Sequence, residues 1–436
     1  MITNFGKRAW DRNYDMDPIV RSRMDQDAYK LIMAQVIRKE WPNTQVSFAL
    51  RNRTVAVKLG REIDIGELRA QLDHVRSLRF GRSELVYLAG NTFFGEKGIF
   101  SPDFIRWLDE EHRLPDYELF TTEDGQIAFR SEGLWEDVSQ WEIHVLTIVN
   151  EMRHRSALKQ MGEFDIDVAY ARAKATLAAK LDLLSPMEDI RLSDFGTRRR
   201  HSFLWQEYCV RALREKLPKS FLGTSNMLLA MKYDLEAIGT NAHEMPMVLA
   251  ALADTDEEMV ASQYEVLKAW ERSYGENLRI FLPDTYGTEQ FLRNAPDWVA
   301  DWTGMRADSA DPFRIGLTYS AWLKERGRDP KTKRFIASDG LDAGTIRTLQ
   351  MSLGSTFRLG FGWGTMLTND FRATPVPGLQ PISLVCKVTE ANGRPAVKLS
   401  DNPEKATGPA DVLARYRRVF GVDEANQAGD RIAPVV

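Results

Sequence analysis

The sequence predicts an α/β protein: a parallel barrel forms the larger unit, and a smaller α+β unit is built from the N-terminal and C-terminal segments. Three observations carry this. Between positions 146 and 375, short β-like runs alternate with helical ones, and the polar and glycine-rich residues fall just after each strand, where the loops of a parallel barrel carry chemistry. Outside that region the pattern turns antiparallel, with hairpin signals at Asp124-Gly125 and Asn392-Gly393. The chain has 436 residues, enough for more than one core. The expected division is 1–145 joined by 376–436 for the smaller domain and 146–375 for the barrel. An open doubly wound sheet is the alternative for the larger unit.

In chain order, "MDQDAYKLIMAQVIRKEW" reads as the first helix, with Asp25 or Asp27 as its cap and apolar residues at helical spacing. "TQVSFALRN" reads as a strand. Helices are expected around Ile65–Leu78 and Ser101–Glu111, and "DYELFTTEDGQIAFRSEG" as a hairpin. From about Trp135 to Leu158 the apolar positions run nearly all round, as in a helix buried between layers. Five strand-then-helix units follow, opening with "IRLSDFG", "LRIFLPDTYG", "WTGMRADSADP", "KRFIASDGLD" and "TFRLGFGWGT". The tail "PISLVCKVTEANGRPAVKLSD" breaks this rhythm and is expected to join the N-terminal hairpin.

Composition narrows the function classes. Hydrophobic content of 43% suits a globular enzyme, and a formal net charge of −4 argues against a general nucleic-acid binder. Cys209 and Cys386 are far apart, which favours free thiols in a reducing compartment. The opening "MITNFGKRAWDRNYD" lacks the apolar core of a signal peptide, and no run of about 18 apolar residues occurs. A cytoplasmic location away from membranes is expected.

The post-strand segments collect Asp194, Arg198, Arg199, Arg200, Asp284, Arg306, Asp308, Asp311, Asp339, Gly362, Gly364 and Thr365. Acids and arginines alternating round one rim suit a polyphosphorylated sugar. Guanidinium groups bind phosphate oxygens in pairs, and carboxylates hold a divalent metal or contact sugar hydroxyls. In "GFGWGT", glycines would let backbone N–H groups approach a phosphate, although the run lacks both the dinucleotide spacing and the lysine of a Walker loop. The ordinary reading of Asp284, Asp308 and Asp339 is helix N-capping. The run Arg198–Arg200 precedes a helix, whose N-terminal end disfavours cations; an external anion or acidic neighbours should therefore meet it. Among six histidines, His243 stands apart in "EAIGTNAHEMPM", a polar turn before an apolar helix. No second histidine stands at metal-ligand spacing from it, which disfavours zinc, and no residue is assigned as a direct metal ligand.

"DQDAYKLIMAQ", "DFGTRRRHS", "FLGTSN", "IGTNAHE", "RADSADP", "SDGLD", "GFGWGT" and "NGRPAVKLSDNPEK" occur in the order found in nicotinate phosphoribosyltransferases. From about Asp25 to Lys405 the chain resembles the bacterial form of that family. The resemblance implies an irregular α/β barrel of the type II phosphoribosyltransferase kind. It also implies a ligase-type reaction: nicotinate displaces pyrophosphate from phosphoribosyl pyrophosphate (PRPP) to give nicotinate mononucleotide in NAD salvage, with ATP as co-substrate and Mg²⁺ required. It further implies a homodimer with shared active sites. Position by position, His243 matches the histidine that ATP phosphorylates, and Arg198 the arginine near the pyridine and ribose. Tyr29 matches an aromatic that stacks on the pyridine from the neighbouring subunit. Arg306 and Asp308 match the "R-x-D-S-G-D" loop, in which Ala310 replaces the usual glycine. Asp339 matches an acid near ribose, Gly362, Gly364 and Thr365 match the 5′-phosphate loop, and Asp284 and Lys398 match more loosely. Thr224 and Ser225 lie in "FLGTSN"; nicotinamide-using relatives carry an acid after Gly-Thr, and the Ser225 hydroxyl suits a carboxylate instead. The rival readings are another phosphoribosyltransferase, using nicotinamide or quinolinate, a sugar-phosphate barrel enzyme, and an RNA-binding module built on "RRRH".

Overall fold

In the computed structural model, residues 17–187 and 189–422 are described. The opening "MITNFGKRAWDRNYD" and residues 423–436 lie outside them.

β1 (Gln45–Asn52) is the hub of an antiparallel sheet because it is paired along both edges. β5 (Ile127–Leu134) lies on one side, with its hairpin partner β4 (Tyr117–Thr121) beyond it. On the other side comes β13 (Leu384–Ala391), followed by β14 (Arg394–Pro395). The sheet order is β14-β13-β1-β5-β4, so the tail hairpin enters the N-terminal sheet. Asn392 and Gly393 have φ of 47° and 76°, the two positive angles that a type I′ turn demands. A short ribbon, β2 (Thr92–Phe93) with β3 (Glu96–Lys97), lies apart.

The second sheet is parallel and seven-stranded, made of β6 (Leu192–Asp194), β7 (Phe221–Thr224), β8 (Glu236–Ala237), β9 (Ile280–Phe281), β10 (Gly304–Ala307), β11 (Arg334–Ser338) and β12 (Arg358–Trp363). Its order is β8-β7-β6-β12-β11-β10-β9. Every strand neighbours its sequence neighbour except at the β8 to β9 step, and β12 returns to β6. That is barrel order with one seam left unpaired, between β8 and β9. A doubly wound sheet would reverse direction instead, so the structure selects the irregular barrel. Phe281, Met305, Phe335, Phe361 and Trp363 are all buried, as expected for a sheet covered on both faces.

The helix expected over Trp135–Leu158 is present in two pieces, Trp135–Val138 and Trp141–Lys159, joined through Ser139 and Gln140. The longer piece is buried round nearly its whole circumference and still carries Glu142, Glu151, Arg153 and Arg155. Two long helices, Glu163–Leu184 and Asp256–Ser273, were not anticipated. The first buries Ile166, Ala169, Tyr170, Ala173, Leu177, Leu181 and Leu184, a narrow stripe diluted by exposed alanines and charges. Among the described residues no helix is long and apolar enough to cross a membrane.

Candidate active site

The C-terminal ends of the parallel strands open into one cavity of about 220 Å³. Twelve of the residues singled out by the sequence line it: Tyr29, Arg198, Arg199, Ser225, His243, Arg306, Asp308, Asp339, Gly362, Gly364, Thr365 and Lys398. The capping explanation fails for the three acids. The helices after them are capped by Gly287, Asp311 and Asp342, each three residues further on, which leaves Asp284, Asp308 and Asp339 free for the site. Asp339 is held at φ 68°, an angle uncommon for a residue with a Cβ and often found at functional sites. Its carboxylate accepts from the Lys405 ammonium.

At one end of the cavity is His243. Its Nδ1 lies 3.0 Å from the Thr285 hydroxyl, and its Nε2 lies 3.1 Å from Asp308 and 2.9 Å from the Lys398 ammonium. Burial lowers the imidazole pKa to about 4 even though Asp284 pulls it upward, so the ring is neutral at pH 7. Asp284 lies 3.6 Å from His243 Nε2, accepts from Lys398 at 3.4 Å, and accepts from the Ser309 hydroxyl. Burial pushes both Asp284 and Asp308 up, but neighbouring groups outweigh it: His243 and Lys398 for Asp284, and the His243 hydrogen bond and the Arg306 guanidinium for Asp308. Both stay ionised. Asp284 Oδ1 and Arg306 Nε are buried without a hydrogen-bond partner among the described residues, although buried polar atoms are nearly always paired. His243, Asp284 and Asp308 also have ligand atoms within 4.8 Å of one another, and their carboxylates are the hard oxygen donors a divalent cation such as Mg²⁺ takes.

At the other end Arg198 approaches Tyr29, with the guanidinium carbon 5.7 Å from the ring centroid. Arg198 pairs with Glu142 at 3.2 Å and with Asp27 at 3.3 Å. The Tyr29 hydroxyl donates to Glu142 at 3.2 Å. Gly239, in "IGTNAHE", lets the Tyr29 main chain approach: a Cβ there would lie 2.6 Å from the Tyr29 backbone nitrogen.

Several expectations are corrected here. The three adjacent arginines have three fates. Only Arg198 and Arg199 reach the cavity, Arg199 also donating to the Ile382 carbonyl at 3.4 Å. Arg200 is fully buried in a two-pronged pair with Asp25, at 2.6 and 2.8 Å, and belongs to the interior and not to the rim. Asp194 is likewise interior, accepting from Thr224 at 2.7 Å and Gln206 at 2.8 Å. Thr224 is therefore turned away from the cavity wall, and Asp311 caps a helix. The Ser225 hydroxyl donates to Asp27 at 2.6 Å, so it is already engaged. Tyr29 lies beside Arg198 of the same chain, where the resemblance implied a ring from a neighbouring subunit. Gly362 lines the cavity and also makes room for the Phe195 ring, 2.3 Å from where its Cβ would be. Ala310 is absent from the positive-φ residues, so the loop tolerates the residue that replaces the family glycine.

The sequence reading missed Asp27 as a site residue, together with Arg53, Glu142, Lys387 and Lys405, all of which line the cavity. Burial is the first cause lowering Lys387 well below the ordinary lysine value, with the Lys398 charge next. Glu142 had a legible signal, an acid inside a helix that is otherwise apolar all round. Lys405 closes the quoted "NGRPAVKLSDNPEK" run. Lys387 had none, since a strand register decides which way it points, and Arg53 had none, lying in the bend just after β1.

The comparisons agree with this geometry. A family model described as the nicotinate phosphoribosyltransferase (NAPRTase) family matches residues 190–424, and one for the family's N-terminal domain matches residues 24–150. Among solved structures, a nicotinate phosphoribosyltransferase from Porphyromonas gingivalis superposes with a TM-score of 0.82 at 26% identity, covering 93% of this chain and 100% of that one. One from Vibrio cholerae gives a TM-score of 0.81 at 30% identity, covering 93% and 94%. With both family models matched in order along the chain and the same fold across nearly its whole length, this chain belongs to the nicotinate phosphoribosyltransferase family.

Proposed function

We propose that the cavity transfers the phosphoribosyl group of PRPP to nicotinate, releasing pyrophosphate and forming nicotinate mononucleotide, with ATP hydrolysis coupled through a transient phosphate on His243. The observation that carries this is a neutral, half-buried histidine among Asp284, Asp308, Arg306 and Lys398 in the same cavity as an arginine beside an aromatic ring.

The residues divide by charge. Nicotinate carries a carboxylate and a flat ring; Arg198 meets the first and Tyr29 the second, and stacking holds the ring nitrogen in line with the sugar carbon. Asp27 keeps the Ser225 hydroxyl and the Arg198 guanidinium in place. Arg199, Arg306 and the lysines Lys398 and Lys405 face the phosphates, and Asp339 is placed for ribose hydroxyls. As pyrophosphate leaves, negative charge builds on it, and one fixed donor aimed at such charge is worth ~3 kcal/mol. Asp284 and Asp308 are the residues that would hold Mg²⁺, since Asp284 Oδ1 keeps an acceptor site without a hydrogen-bond partner among the described residues and carboxylate oxygens suit that ion. An ion held there would supply positive charge to offset the phosphates and Lewis-acid polarisation of phosphoryl oxygens. His243, unprotonated at neutral pH, offers a ring nitrogen to the γ-phosphate of ATP.

The same reading divides the chain into 1–145 with 376–436 and 146–375, and places it in the cytoplasm. A homodimer with shared active sites stays part of the proposal. The deciding assay is nicotinate with PRPP, with and without ATP, using nicotinamide and quinolinate as controls. Product from nicotinate alone, increased by ATP, is the expected result; equal turnover of nicotinamide would refute the substrate assignment. Incorporation of γ-labelled phosphate should vanish in His243→Ala, and label persisting there would refute the phosphohistidine.

A further inference from the structure

The two ends of the cavity are joined behind its wall. The Lys30 ammonium is completely buried, does not line the cavity, and ion-pairs with two carboxylates: Glu244, and Glu142 at 2.7 Å. These acids come from different helices. Glu244 is the first residue of the Glu244–Leu252 helix and directly follows His243. Glu142 is the second residue of the Trp141–Lys159 helix and holds both Arg198 and the Tyr29 hydroxyl, each at 3.2 Å. The remaining oxygen of Glu244 accepts from the Trp135 indole at 3.1 Å. Among the described residues no other cation lies within ion-pair distance of Glu244. One cation is thus shared by the acid beside the histidine and the acid that fixes the pyridine-side arginine.

A buried ion triad of this kind is weak as a source of stability, because desolvation offsets the attraction. Its geometry gives it a better use. We propose that Lys30 is a positioning residue that carries the state of His243 to the pyridine end of the cavity, through Glu244 on one side and Glu142 on the other. The proposal rests on reading His243 as the phosphorylated residue.

A phosphate there adds about −1.5 to −2 charges. It draws on Lys398, which already touches the ring at 2.9 Å, and it repels the neighbouring Glu244. Any shift of that carboxylate changes how Lys30 is divided between its two acids. Glu142 then holds Arg198 and Tyr29 more or less firmly. Coupling between two binding events is reciprocal, so nicotinate in turn changes the affinity of the site for phosphate donors.

The test compares wild type with Lys30→Met, which keeps the length and removes the charge, and with Glu244→Gln, which keeps the volume and an acceptor for Trp135. Two quantities are read: label incorporated from γ-labelled ATP, and the ratio of the nicotinate KM without ATP to that with ATP. Coupling between sites typically amounts to about 5-fold or more. We expect both variants to take up label while the ratio falls toward 1. A folded variant that takes up label and keeps the wild-type ratio overturns the relay. Should Lys30→Met fail to fold, Glu244→Gln decides alone by the same criterion. Absence of label in the wild type is a different failure: it overturns the phosphohistidine itself, before any variant is made.

Discussion

The two ends of the cavity handle their charges in opposite ways. At the pyridine end every charged group has a partner within the chain: Arg198 with Glu142 and Asp27, Asp27 also with Ser225, Tyr29 with Glu142. At the histidine end, Asp284 Oδ1 and Arg306 Nε are buried without a hydrogen-bond partner among the described residues, and three possible metal ligands crowd together. The first end is preorganised for a small, flat, singly charged acid that has only to slot between fixed groups. The second holds unspent hydrogen-bonding capacity, as expected where phosphates and a cation supply the missing partners.

The same contrast runs through the arginine triplet and gives the largest expected effects. Arg198→Ala should lower kcat/KM for nicotinate about 10²–10³-fold, measured at fixed PRPP. It also uncovers two buried acids, so denaturant melts should register a loss of stability as well. Arg200→Ala should do the reverse. Breaking its buried pair with Asp25 should cost about 3–5 kcal/mol of stability, while the protein that remains folded turns over normally per active site. Equal effects of the two variants on turnover would erase the distinction between rim and interior.

At the histidine end, Asp284→Asn and Asp308→Asn should raise the Mg²⁺ concentration for half-maximal activity about 10–100-fold. An unchanged Mg²⁺ titration in both would leave the unpaired oxygen without an explanation.

Protonation offers a third, smaller contrast. An ordinary histidine titrates near 6.5, so at pH 5.5 about nine-tenths would be protonated and phosphate uptake would fall about tenfold. Burial disfavours the charged form, and His243 gains its proton only near pH 4. Label uptake should therefore change less than about twofold between pH 7 and 5.5, then fall as pH drops through 4. A midpoint near 6.5 would show that the ring is more hydrated than its surroundings indicate.

How much of this was legible depended on the kind of information each feature needs. The strand-then-acid units could be read because alternation and turn chemistry are local, and the Arg306, Asp308 and Asp339 they singled out line one cavity. The direction of a side chain is not local. Asp27 stands at the N-cap position of the first helix, as expected, yet its side chain makes no cap bond and turns to Ser225 and Arg198. Arg198 and Arg200 are chemically identical and two residues apart; only the placement of Asp25 and Glu142, from segments far away in sequence, separates their roles. Lys387 enters the cavity because of the register of β13 on β1, and Arg53 from the bend just after β1. A one-residue slip would turn Lys387 to the opposite face.

Ser225 gives the finest test of the preorganised end. Its hydroxyl donates to Asp27 at 2.6 Å, and Asp27 lies 3.3 Å from Arg198. Burial raises the Asp27 pKa, with Arg198 and then the Ser225 hydrogen bond holding it down. Removing the hydroxyl in Ser225→Ala lets Asp27 take up a proton more readily, and a protonated Asp27 holds Arg198 less firmly. A hydrogen bond to a group of this kind contributes ~1 kcal/mol, so the nicotinate KM should rise roughly fivefold while kcat, the KM for PRPP and label uptake on His243 stay near wild type. A KM that rises more steeply as the pH is lowered would identify the Asp27 proton as the cause. If instead kcat fell and KM held, the hydroxyl would be acting on the transition state directly, and the pyridine end would be less complete before nicotinate arrives than its ion pairs indicate.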